Sequence, residues 1–327
     1  MKIAILGAGF CGMAVAWNLL QLTEIEVTIF DPKAIAKGTS GIAAGLLHPY
    51  VGAHSKINWK AIEGMGATCK LLRVAEQALG KTVAFSEGML RLALTDLQQK
   101  DFNICANLHN DIHWRTEIEC QRTTPHIIPA SGIFIDSAIT VDCESYLQGL
   151  WKACSSQGAI FEQRAIASLN ELQHFDRVVI CMGANTTDLP ELKHLPIKST
   201  KGQILEFLWP NNLITLPYPI NSHAYLLMNP QKTSCIAGAT YEKQFTNETA
   251  DIDIAKQEIL PKVRPFFPQI DELTLVSCRA GIRAGTPDRK PLIAQITDKC
   301  WVLTGMGSKG LLYHALFAEE LVDKALG

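Results

Sequence analysis

The sequence predicts an α/β (α+β) protein built on two interleaved sheets, one parallel and doubly wound, the other mostly antiparallel. Three observations predict it. The chain opens on a β-rich run, a glycine-rich turn and an apolar helical stretch, in that order. Residues 202–274 instead carry β-like runs such as "GQILEFLW", "AYLLMN" and "TSCIAGATY". Near the end, "TGMGSKGLLYHA" sets a second glycine-rich turn before another apolar helical pattern.

The opening run "KIAIL" is a short strand, and "GAGFCG" places Gly7, Gly9 and Gly12 in GxGxxG spacing directly after it. Gly7 permits the tight turn, Gly9 lets backbone approach a pyrophosphate, and Gly12 lets helix and strand pack closely. The helix continues through "MAVAWNLLQL", where Ala16 keeps that packing tight. The next strand, "EIEVTIFD", ends at Asp31, nineteen residues past Gly12 and near the spacing of a ribose-binding carboxylate. An acid there favours a free 2′-hydroxyl, hence NAD or FAD over NADP. A signal peptide or membrane span is the competing reading of the first residues. The patterned glycines, the missing small-residue cleavage site and the polar "QLTEIE" that follows argue for strand, turn and buried helix.

Bulk properties narrow the class. The 327 residues suffice for two domains, and 47% hydrophobic with 19% charged residues is an ordinary globular composition. A net charge of −2 provides no whole-molecule field for nucleic acid or acidic membrane, although a local basic patch remains compatible with it. None of the ten cysteines stands in a CxxC pair, which counts against a zinc ribbon or thioredoxin-type site; no metal is expected. Cys11, Cys181 and Cys235 lie in apolar runs and are expected to be buried thiols, in a reducing, cytoplasmic compartment.

After Asp31 the chain reads "PKAIAKGTSGIAAGLLHPY". A plain NAD domain would proceed to its third strand; this loop is rich in small residues that can wrap a bulky flat ring. Ser40 is expected on a phosphate oxygen and Gly45, Leu46 and Leu47 along an isoalloxazine edge. The segments "GTSGIAAGLLHP", "RVVICMGANT", "KSTKGQILEF", "CIAGATYE", "AGIRAGTPDRKPLIA" and "TGMGSKGLLYHALFAEELVDKAL" occur in order along nearly the whole chain. Together they resemble the D-amino-acid-oxidase-like family of FAD-dependent oxidoreductases, which includes glycine oxidase and sarcosine oxidase.

That resemblance implies a Rossmann-like FAD-binding domain from residues 1–80, 136–197 and 276–327, interleaved with a substrate-binding domain from 81–135 and 198–275. It implies one FAD, bound without a covalent link, touched by both chain ends. Its contacts are expected to include Ala8, Phe10, Cys11, Pro32 and Ala44 near the first turn. Ala165, Ile166, Met182, Gly183 and Ala184 are expected from the middle, and Gly305, Gly307, Ser308, Lys309 and Gly310 from the end. The helix after Lys309 is expected to aim its N-terminus at the flavin pyrimidine, where reduction places negative charge, with Lys309 adding a cation. Otherwise Lys309 is an ordinary solvated lysine.

Arg283, between two glycines, stands where the family places its carboxylate-binding arginine and is expected to be both catalytic anchor and cofactor neighbour; the bland alternative pairs it with Asp288 on the surface. Arg279 is close enough in sequence to share the task. Tyr225, Tyr241 and His48 are the remaining substrate-contact candidates, each with an alternative as a packing residue.

Within the family the likeness is strongest to members that oxidise a modified wobble uridine of tRNA, then to glycine oxidase. The expected reaction is oxidation of a C–N bond in a glycine-like secondary amine, with O2 as electron acceptor. The substrate is a modified tRNA nucleoside or a free amino acid such as glycine, sarcosine or a D-amino acid. Two rival classes are a non-catalytic flavin- or NAD-binding regulator and an NAD-dependent dehydrogenase. Two local expectations complete the reading: a long helical pattern beginning near "AITVDCESYLQGLWKACSSQGA", capped at its start by Asp142 or Ser145, and a helix in "IAKQEILPKVRPFFP" outside the antiparallel sheet, stopped by Pro265 and Pro268.

Overall fold

The structure, a computed structural model, describes residues 1–326. The first sheet has six strands in the order Ile160–Glu162, Glu26–Phe30, Lys2–Leu6, Arg177–Ile180, Cys300–Thr304 and Leu292–Thr297. The first five run parallel, and the last pairs antiparallel to its neighbour. Lys2–Leu6 is central and reads as a near-continuous apolar run because both its faces are covered. Helices Phe10–Leu20, Ala61–Leu79, Cys143–Ser156 and Gly310–Leu326 pack on one face around Ile5, Met13, Leu147, Tyr313 and Leu321. The other face carries a smaller core with Leu6, Phe30, Phe175, Leu189 and Val302. Of the two caps the sequence offered for helix Cys143–Ser156, Asp142 is the one used: its Oδ1 accepts from Ser145 N at 3.1 Å.

The second sheet has eight strands in the order Leu275–Gly285, Lys198–Leu208, Ser234–Gly238, Tyr225–Met228, Ile220–Asn221, Met89–Leu92, Gly132–Ile135 and Ile112–Arg115. Its ladders are antiparallel except that between Ile220–Asn221 and Met89–Leu92. Helix Ile252–Val263 covers its outer face, where Ala255, Ile259 and Val263 meet Leu205, Phe207 and Ala237. Pro261 falls in this helix, which ends before Pro265.

Strand Leu275–Gly285 differs from the sequence-based partition, which assigned residues from 276 onward to the dinucleotide part. It pairs with Lys198–Leu208 along its length, so it is a strand of the second sheet. The chain returns to the first sheet only at Leu292. The small-residue loop after Asp31 also holds a short helix, Thr39–Ile42, that the sequence did not announce.

Candidate active site

Alternation along two paired strands builds one wall of a cavity. In Lys198–Leu208 and Leu275–Gly285, Gly202 faces Gly281 and Thr200 faces Arg283, so these four share one side of the sheet. Gly202, Ile204, Gly281, Arg283 and Tyr225 all line a cavity of about 660 Å³. Its opposite wall is the first glycine-rich turn with the end of strand Glu26–Phe30, and its ends are residues 164–166, 182–185 and 303–311. Both extremities of the chain therefore meet at one cavity.

The first turn is fixed by crowding. Gly7 has φ +102, a region other residues avoid, and a Cβ there would stand 2.4 Å from Cys181 O. A Cβ on Gly12 would stand 1.8 Å from Gly7 O, so turn and helix touch backbone to backbone. Asp31 is tied into the turn: Oδ2 accepts from Ala8 N at 2.8 Å and Oδ1 from Lys33 N at 2.8 Å. Ser40 Oγ accepts from Phe10 N at 3.1 Å, which leaves its hydroxyl proton to donate into the cavity. Thr39 Oγ1 accepts from Ile282 N at 3.2 Å and so joins the loop to the second sheet.

Arg283 is the cation of the opposite wall. Its guanidinium lies over Gly202, where a Cβ would meet a terminal nitrogen at 2.1 Å. Nη1 donates to Thr240 O at 3.3 Å, and Arg283 makes no ion pair among the described residues. The surface pairing with Asp288 is not formed; Asp288 Oδ1 accepts from Lys290 N instead. Arg279 is engaged elsewhere, with Nη2 3.5 Å from Glu206 Oε2. The Tyr225 ring packs over Gly238, and burial pushes its phenol up to about 12 against the opposing pull of Arg283 and Arg279. Burial likewise pushes the Cys11 thiol up to about 12. Both groups are therefore protonated near neutrality.

Most of the residues named from the sequence line this cavity: Gly7 to Cys11, Asp31, Pro32, Ser40, Ala44 to Leu46, Ala165, Ile166, Met182 to Ala184, Tyr225, Arg283, Gly305, Gly307, Ser308 and Gly310. Five do not. Gly12 packs against Gly7 O and serves the turn from behind. Leu47 is turned into the core beneath the loop. Tyr241 follows the end of strand Ser234–Gly238 and is 59% exposed. His48 lies beyond the loop with Nδ1 buried and unpartnered; burial first, then nearby Arg91, pull its pKa down to about 3. Lys309 points out of the cavity, its Nζ 5.5 Å from the Tyr313 ring centroid and 3.5 Å from Arg289 O. Burial first, then Arg289, lower its pKa.

The structure also brings in residues that sequence reading missed. Gly202 and Thr39 are visible as residue types, but only the strand register shows what they touch. Arg164 lies 4.9 Å from the Phe30 ring centroid at the Asp31 end and donates to Glu171 at 2.8 Å. Glu248 reaches the rim from an exposed segment with no pattern to mark it. Behind the last helix's start, the His314 ring bonds Tyr146 OH through Nε2 at 2.7 Å and Gly310 O through Nδ1 at 3.0 Å. Burial drives its pKa down to about 4.

Among the described residues no cluster of three or more His, Cys, Asp or Glu side chains is placed to hold a metal ion. No helix there is long and apolar enough to cross a membrane. The ten cysteines are free, with Cys181 and Cys235 buried and Cys11 partly so at the cavity.

Comparison with known proteins agrees with this architecture. Glycine oxidase from Geobacillus kaustophilus superposes with a TM-score of 0.83 at 20% identity, covering 99% of this chain and 94% of that one. Iminodiacetate oxidase (IdaA) from Chelativorans sp. BNC1 gives 0.81 at 19% identity, covering 99% and 95%. The tRNA 5-methylaminomethyl-2-thiouridine biosynthesis bifunctional protein MnmC of Maricaulis maris is 23% identical over 337 residues, covering 99% of this chain and 52% of the relative. MnmC of Hydrogenovibrio crunogenus is 24% identical over 331 residues, covering 93% and 48%. The chain thus spans about half the length of these relatives. A family model described as "FAD dependent oxidoreductase" (DAO) matches residues 2–324, and the chain belongs to that family.

Proposed function

We propose that this enzyme oxidises the C–N bond of a glycine-like secondary amine whose carboxylate is held by Arg283. The carboxymethylaminomethyl group of a modified tRNA uridine is the substrate this reading favours. The observation that carries it is the position of Arg283: a guanidinium without a carboxylate partner, in the cavity wall facing the first turn. A half-buried cation that no residue neutralises is poorly satisfied, and a substrate carboxylate would satisfy it bidentately. The tRNA form of the substrate rests on the printed name of the MnmC relatives.

The residues present suit FAD. The backbone of Gly7, Gly9 and Gly12 leaves no room for side chains, Asp31 retains acceptor capacity for ribose hydroxyls, and Ser40 retains a proton for a phosphate oxygen. When bound, FAD supplies the two-electron acceptor for a hydride from the α-carbon. The chain's own part is to hold and orient. Arg283 fixes the carboxylate, the neutral Tyr225 phenol offers a hydrogen bond beside it, and the first amides of helix Gly310–Leu326 present donors to the cavity. As the hydride leaves the α-carbon, the amine lone pair closes a C=N bond. Water then adds to this imine and releases the primary amine and glyoxylate. Lys309 points away, so these backbone donors take the electrostatic role the sequence suggested for it.

Replacing Arg283 with Ala removes a charge-assisted bidentate contact worth ~3–4 kcal/mol, so KM for a carboxylate amine should rise roughly a hundredfold or more while cofactor content is unchanged. An unchanged KM would remove Arg283 from the site. Anaerobic bleaching of the flavin band by tRNA bearing the carboxymethylaminomethyl group, and not by glycine, supports the tRNA substrate. The reverse result supports a free amino acid, the second reading, which the fold shared with glycine oxidase favours.

A further inference from the structure

Outside both sheets, strands Tyr50–Val51 and Lys56–Ile57 form a two-stranded ribbon. A buried arginine fastens it from beneath: Arg91 Nη1 donates to Ser55 Oγ at 2.7 Å, and Nη2 donates to Gly52 O at 2.7 Å. Burying an arginine is expensive, and the bonds from its two terminal nitrogens, which offset that cost, hold the ribbon in one position. At its exit stands Trp59, 45% exposed, backed by Phe317 at a centroid distance of 5.8 Å. Tyr313 OH donates to Trp59 O at 2.6 Å.

Cations gather around this indole. Lys60 Nζ lies 5.2 Å and Lys290 Nζ 5.0 Å from the ring centroid, with Arg289 and Lys309 alongside. Of the four, only Lys60 has a carboxylate partner among the described residues, Glu320 at 2.5 Å. On a chain of net charge −2 this is a local concentration of positive charge. It adjoins the active-site cavity, since Ser308 and Gly310, on either side of Lys309, line the cavity wall.

We propose that this surface binds single-stranded RNA, with a base stacked on Trp59 and phosphates held by Arg289, Lys290 and Lys309. It rests on the tRNA reading above, because it names where the strand carrying the amine is gripped. A lysine over an exposed ring is held by only ~0.5–1 kcal/mol, whereas a phosphate forms stronger charge-assisted bonds. The lysines therefore swing to the backbone and free the indole face, where stacking on a base is worth ~1–3 kcal/mol. An acidic protein surface would use the cations but would give the indole nothing flat to stack on.

The test uses the FAD-loaded full chain and a fluorescent oligouridylate, with an oligouridylate–oligoadenylate duplex of the same length as control. Anisotropy should show the single strand binding more tightly than the duplex. Trp59→Ala should weaken binding about tenfold without changing its salt dependence. Arg289→Ala with Lys290→Ala should shrink the slope of log K against log salt by about 1.4. Lys290→Glu, an exposed charge reversal, should weaken binding while melting temperature and flavin content stay unchanged. Unaltered affinity in all three variants, or a duplex bound as tightly as the single strand, overturns the proposal. The two readings fail separately. Bleaching by a carboxylate amine without RNA binding sinks this surface and spares Arg283. RNA binding without bleaching by any carboxylate amine does the opposite.

Discussion

The two glycine-rich turns reach the same cavity by different physics. At the first, glycine is demanded by crowding: Gly7 and Gly12 have backbone oxygen where a side chain would start, at 2.4 and 1.8 Å. At the second, glycine is demanded by direction. Gly305 and Gly307 take φ of +80 and +58; a Cβ on Gly305 would meet the Thr286 methyl at 2.6 Å, a side chain rather than backbone, and one on Gly307 would meet nothing within 4 Å. The first turn combines a left-handed Gly7 with backbone packed against backbone, whereas the second, at Gly307, is an uncrowded bend leading into a helix. Similar composition thus conceals a large difference in tolerance to substitution.

The sharpest way to break this contrast is Gly12→Ala. The new methyl would collide with backbone that cannot rotate aside, so the variant should lose more than ~3 kcal/mol by urea denaturation and carry little cofactor. A stable, fully loaded variant would erase the distinction between the two turns.

The second turn is steadied from behind by His314. Its pKa is lowered in the fold, from 6.5 to about 4, so the unfolded chain takes up a proton first. The stability this contributes is present above pH 6.5 and is lost as pH falls toward 4, by about 3 kcal/mol. His314→Gln should flatten that stretch of the stability–pH profile. A profile as steep as the parent's would place the acid sensitivity elsewhere, for example at His48.

Gly307→Ala should cost only ~1–2 kcal/mol, the strain of a left-handed alanine with no clash added. A loss as large as that of Gly12→Ala would show that position 307 is crowded too. The smallest effect belongs to Lys309→Met. Its charge points out of the cavity, so cofactor content should be unchanged and stability should move by no more than ~0.5 kcal/mol.

These contrasts also mark what could be read from the amino acids. The first turn was legible because strand, glycines, helix and acid occur in a fixed order with fixed spacing. The cap at Asp142 and the helix ending before Pro265 were legible for the same reason, since local rules govern them. The packing of Arg283 over Gly202 was not, because it depends on a cross-strand register between segments some eighty residues apart. The outward turn of Lys309 was hidden too. A sequence shows that a lysine follows a glycine bend, while the φ values on both sides decide which way it leaves. Tyr241 stands past the end of Ser234–Gly238, where the sequence carries no strand pattern to show that its side chain is exposed.

The interleaved order of the first sheet bears on how the molecule is made. Its middle strand, Lys2–Leu6, is synthesised well before its neighbour Arg177–Ile180, and that strand in turn well before Cys300–Thr304. Until then the apolar "RVVI" segment has no outer partner and stands as an open edge, the kind of surface on which growing chains stick together. Translation must pass Thr304 before the nucleotide cleft has both walls, so a nascent chain should depend on holding factors rather than on its own ligand for protection.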